Sequence, residues 1–255
     1  MVEWAPYLMV LSGCLVGIFG VLFGASMFLA VPIFQVVFPG IGNFGSIIGS
    51  IKVGSLARGF ASTLATRKNL RFVSLLRYAP LFLGTLLGAF AISALSRDFI
   101  IPVLILGVLV ALNAEGLSNY IRKVRGLFSV FALLVGVYVG FFGAGAALLI
   151  MALIRVGEPE QYGEDGQLTL LAIQSRFVEF LIGWIAIVGH VVAGTLTLAL
   201  WPLWLWWGIG AAIGGAIGGL LMNRLTNVSA SVQRLFLYFA FALAFGVALY
   251  SQFAS

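Results

Sequence analysis

Eight apolar stretches, at residues 5–37, 44–65, 72–95, 99–114, 125–155, 167–190, 198–222 and 232–252, follow one another along this 255-residue chain with short polar links between them. A hydrocarbon core about 30 Å thick takes about 20 apolar residues to cross as helix, and it offers no water to backbone N–H and C=O groups. Segments this long and uniform must satisfy their own hydrogen bonds as helices. Barrel strands would instead show segments of about 10 residues with alternating polarity. The expected fold is therefore an all-α polytopic membrane protein of about eight transmembrane segments. With 62% hydrophobic and 9% charged residues, and a mean hydropathy of +1.14, little sequence is left for a soluble domain. The first stretch has no basic leader and no small-residue cleavage pattern, so it reads as a retained segment rather than a signal peptide.

The stretches carry an internal repeat. Gly17-Ile18-Phe19-Gly20-Val21-Leu22-Phe23-Gly24-Ala25 returns as Gly136-Val137-Tyr138-Val139-Gly140-Phe141-Phe142-Gly143-Ala144, 119 positions on. After the acidic loop at 158–165 the spacing becomes 124, pairing Lys52 with Arg176 and Gly59 with Gly183. Beyond a tryptophan cluster it is 130, pairing Gly84 with Gly214 and Gly88 with Gly218. Both changes fall where insertions are easily absorbed, so the chain reads as two four-segment repeats, 1–115 and 127–255, joined by a basic linker at 116–126.

Residues 5–37 as a single helix would span about 50 Å at 1.5 Å per residue, too long for one crossing. A break is expected at Phe23-Gly24-Ala25-Ser26, and at Phe142-Gly143-Ala144-Gly145 in the second repeat, where glycine tolerates unwound backbone. Broken segments that still cross would give parallel repeats with the basic loops inside and the acidic loop outside; broken segments that turn back would give inverted ones. The charge rule favours plain crossings. The later glycines, Gly84, Gly88, Gly210, Gly214 and Gly218, read as helix-packing positions, and they would also permit a homodimer. Trp201, Trp204, Trp206 and Trp207 read as an interfacial belt, and His190 as interfacial.

A charge inside a membrane is costly enough to mark function. Lys52 and Arg176 occupy matching places in segments two and six, among Ser50 and Ser55 or Gln174 and Ser175. Helix N-termini resuming after Gly24 and Gly143 would add positive dipole ends, so a small oxyanion is the expected ligand. The expected binding set is Lys52, Arg176, Ser50 and Ser175, with Gly24, Ala25 and Ser26 at one break and Gly143, Ala144 and Gly145 at the other. Glu179, three residues from Arg176, would balance charge or carry a coupled proton. Arg58 and Arg77 are candidate pathway residues, although Arg58 lies about 120° around the helix from Lys52.

No Ser-His-Asp set, metal-spaced His/Cys/Asp cluster or nucleotide-binding glycine loop is present in the sequence, and no cofactor is expected. The basic residues are few and lack aromatic interleaving, which argues against nucleic acid. The single cysteine, Cys14, can form no internal disulfide.

The paired Phe-Gly-Ala breaks, the Ser50-Ile51-Lys52 and Ser175-Arg176 stations and the closing glycine-rich segments together resemble the TauE/SafE sulfite exporter family, also called the toluene-sulfonate uptake permease family. The resemblance spans roughly residues 12–250. It implies a multi-pass permease of a bacterial or archaeal inner membrane that moves sulfite, organosulfonates or other small anions. Alternating access around the cationic site is the expected mechanism, with a passive anion channel or a non-transporting membrane scaffold as alternatives.

Overall fold

The computed structural model describes residues 5–24, 26–37, 44–70, 74–94, 125–143, 145–158 and 168–224, with isolated positions beyond them. Ala25, Ala144, the stretches 99–114 and 232–252 apart from such positions, most of the linker, and the acidic loop past Glu158 lie outside this set. Every regular element among the described residues is helical. In chain order the helices are α1 (Ala5–Phe23), α2 (Ser26–Val37), α3 (Phe44–Thr66), α4 (Ala79–Ala91), α5 (Phe128–Phe141), α6 (Ala146–Gly157), α7 (Leu168–Val192) and α8 (Trp201–Arg224).

Four continuous helical stretches, Ala5–Phe23, Leu75–Ala94, Leu170–Val192 and Leu198–Arg224, are long and apolar enough to cross a membrane. Their outward residues, such as Leu15, Leu83, Trp184 and Ile213, are exposed and apolar, as a lipid-facing surface requires. Helix α3 has the length but not the hydropathy, because Lys52, Arg58 and several serines lie along it. It escapes lipid by burial: Lys52, Arg58, Ser50 and Ser62 are each at most 5% exposed.

Both long segments break at glycine. Gly24 at φ 74° follows α1, and Gly143 at φ 78° and Gly145 at φ 70° separate α5 from α6. These left-handed conformations cost a side-chain-bearing residue energy that glycine avoids. The chain then turns back. Ser26 sits against Gly20 of α1, and Phe34, 8 residues on, stacks edge-on against Trp207 at 4.8 Å, beside the α1 residue Gly13. Likewise Gly157 at the end of α6 returns to Phe128 at the start of α5.

Close backbone approaches at glycines set the directions of the other helices. Gly210, Gly214 and Gly218 of α8 rest on Val10, Cys14 and Ile18 of α1, so the two run together. Gly215 and Gly219 rest on Arg58 and Ser62, which aligns α8 with α3 as well. In the same manner Gly84 and Gly88 of α4 rest on Leu133 and Val137 of α5. Between these groups the direction reverses: Gly59 of α3 meets Phe180 of α7, and Gly183 of α7 meets Leu56 of α3. The expectation of plain crossings is thus corrected. With α1–α2 and α5–α6 folded as hairpins, α1, α3 and α8 point one way and α4, α5 and α7 the other. The charge rule could not decide this, because it weighs loop charges and not whether a segment turns back at its break.

The contacts also come in matched pairs at the sequence spacings. Gly17 on Ala211 corresponds to Gly136 on Leu81, Gly214 on Cys14 to Gly84 on Leu133, and Gly59 on Phe180 to Gly183 on Leu56. Small residues are needed here because a methyl would enter the neighbouring backbone. Replacing Gly214 with Val should cost about 1–3 kcal/mol by overpacking and lower the melting temperature in detergent. Gly126→Ala, with nothing within 4 Å of the added methyl, should leave it unchanged.

Candidate functional site

The two hairpin breaks expose helix ends. The last carbonyls of a helix lack an intrahelical partner and carry the negative end of its dipole. Lys52, on α3, reaches across to the end of α5, where its Nζ donates to the carbonyl oxygen of Val139 and, at 3.2 Å, to that of Phe142. Arg176, on α7, reaches the end of α1, where its Nη2 donates to the carbonyl oxygen of Val21 at 2.7 Å. Each cation therefore serves the break in the other half of the sequence.

Placement of the expected site residues is uneven. Gly24 and Gly143 stand beside the two cations: a methyl at Gly143 would lie 2.8 Å from Lys52 Nζ, and one at Gly24 would lie 3.8 Å from Arg176 Nη2. Ser26 is buried at the start of α2, and Gly145 opens α6. Ser175 is turned away, its hydroxyl donating to the Ala172 carbonyl at 2.8 Å, and the buried Ser50 Oγ has no hydrogen-bond partner. These two hydroxyls stand about 100° and 200° around their helices from Arg176 and Lys52. Ala25 and Ala144 lie outside the described residues.

Glu179 joins two arginines. Its Oε2 lies 2.9 Å from Arg176 Nη1 and 3.5 Å from Arg58 Nη2, with all three side chains at most 8% exposed. Arg58 thus belongs to the cluster that its helical angle seemed to remove it from, because Glu179 approaches from the facing helix rather than along α3. A second cation in segment two and a carboxylate in segment six were the signal for this pair. Among the described residues, the buried Arg58 and Arg176 share Glu179, while the buried Lys52 is held by carbonyl oxygens.

Two further expectations are corrected. His190 is wholly buried in the protein rather than exposed at an interface, with Nδ1 2.8 Å from the Thr195 hydroxyl, because the chain just past α7 sets Thr195 against Gly49 of α3. Trp207 is 1% exposed and packs against α3, unlike the exposed Trp201 and Trp206, since successive residues on α8 face opposite environments.

A protein-family model described as "Sulfite exporter TauE/SafE" matches residues 9–247. The chain belongs to the TauE/SafE sulfite exporter family. Searches of curated proteins and of solved structures returned no match. TauE/SafE proteins are membrane transporters rather than enzymes, and the apolar helices here fit a multi-pass membrane protein.

In this TauE/SafE member, removing one partner of a buried ion pair leaves an uncompensated charge, at a cost of about 3–5 kcal/mol. Glu179→Gln should lose stability on that scale in detergent unfolding. Because Arg176 and Glu179 act as a unit, Arg176→Gln combined with Glu179→Gln should cost less than the sum of the two single changes. Strict additivity would show that the pair is not coupled.

Proposed function

We propose that this protein is a permease for small anions, sulfite or an organosulfonate foremost, working by alternating access around Lys52 and Arg176. In this reading the chain comprises two inverted four-segment repeats, 1–115 and 127–255, of the kind that carry substrate sites at their interface on broken helices. The matched glycine contacts and the reversal of direction between α3 and α7 support it.

One observation carries the mechanism: the two cations are held by helix-end carbonyls at the breaks and not only by carboxylates. A carbonyl carries a partial charge, so an oxyanion arriving between the breaks is a stronger partner for Lys52 and Arg176. Arg176 offers a planar fork suited to two oxygens, and Lys52 a point charge. As the cations turn toward the anion they release Val139, Phe142 and Val21. The hairpins are then free to tilt against α3 and α7, so occupancy and the backbone breaks are coupled. Glu179 holds Arg58 and Arg176 in place and limits the excess positive charge.

Pairing of both cations with protein groups is also what a non-transporting scaffold would show. Membership in a transporter family weighs for transport. Lys52→Gln and Arg176→Gln should each weaken sulfite binding by at least about tenfold, the loss of one charge-assisted hydrogen bond. Titration calorimetry on protein in nanodiscs measures this, with Lys52→Arg keeping part of the affinity. Sulfite binding equal to wild type in both Gln variants would remove the cationic site from the mechanism.

A further inference from the structure

A small cavity of about 10 Å³, the room one water needs, lies between α1, α2, α3 and α8, and neither Lys52 nor Arg176 lines it. Its polar lining is one-sided in chemistry. Arg58, Trp207, Ser26 and Ser55 face it, and none of these side chains carries a negative charge. Trp207 is 1% exposed, and its indole Nε1 has no hydrogen-bond partner beside Gly54, another lining residue. The Nε of Arg58 is likewise buried and unpartnered. Buried donors left unpaired cost free energy, so a chain that keeps two of them beside one void has placed them for something that accepts hydrogen bonds.

The equivalent place in the other half is lined differently. At the same repeat spacings, Leu149 stands for Ala30, Val178 for Gly54 and Ile182 for Arg58, and all three are at most 1% exposed in an apolar core. The first half therefore has small residues and an arginine at these three places where its counterpart has bulky apolar side chains, while Ser55 and Trp207 correspond to Glu179 and Arg77.

We infer that this cavity is a second anion station, in which Trp207 Nε1–H and Arg58 bind one oxygen of a small oxyanion, with Ser26 and Ser55 alongside. It rests on the anion-permease reading above and adds residues on one side only of the Lys52 and Arg176 centre. An anion seated there draws Arg58 from its 3.5 Å contact with Glu179, which leaves Glu179 wholly to Arg176. The void admits a single oxygen, so the rest of the ion must displace lining side chains.

The test follows the indole N–H resonances of ¹⁵N-tryptophan-labelled protein in nanodiscs during titration with sulfite, and Trp207→Phe identifies the Trp207 signal by its loss. The Trp207 resonance should move saturably with sulfite, and Trp207→Phe should weaken sulfite binding about tenfold in protein that remains folded in nanodiscs. Arg58→Lys, which keeps the charge and the Glu179 partner, should weaken binding as well. If the Trp207 resonance stays fixed while sulfite binds and Lys52→Gln abolishes that binding, the second station falls and the permease reading stands. If the wild-type protein binds neither sulfite nor an organosulfonate, both fall together.

Discussion

A buried cation laid on the carbonyl end of a broken helix is the interaction on which the rest of this molecule depends. A helix that stops inside a membrane leaves up to four carbonyls with no water to accept, and a lysine or arginine there has no water to solvate it. Each problem is the remedy for the other. Lys52 on Val139 and Phe142, and Arg176 on Val21, fix the end of each hairpin to the helix that faces it. Without them neither break could remain in the interior.

The helix packing follows from where those cations must reach. Helices α3 and α7 cross at the centre in opposite directions with Gly59 and Gly183 at the contact, so each cation extends to the far hairpin. Glycine rows on α4 and α8 then bring those helices onto α5 and α1 at backbone distance, and this closes both hairpins against the centre. The apolar exterior needs no such detail, because lipid accepts any apolar side chain.

Much of this was legible in the sequence. Apolar segment length dictated helices, and the positions of Gly24 and Gly143 marked the breaks, because only glycine adopts that backbone without strain. The spacings of 119, 124 and 130 residues foretold which contacts match. Whether a hairpin turns back was not legible, since it depends on α2 packing Phe34 against Trp207, a contact between residues 173 positions apart. Nor was the exchange of partners between halves, in which Lys52 serves the second break and Arg176 the first. The Arg58 contact was missed and His190 misjudged for a related reason. Position on one helix says which way a side chain leaves, and the facing helix decides what it meets.

The central claim is that anion occupancy and the two breaks are coupled through the cations. Amide hydrogen exchange over residues 20–28 and 139–147, with and without saturating sulfite in nanodiscs, measures it most directly. Exchange should change in both segments together when sulfite binds, since the carbonyls of Val21, Val139 and Phe142 lose their cationic partners as the ion takes them. Sulfite binding that leaves exchange in both segments unaltered would contradict the coupling.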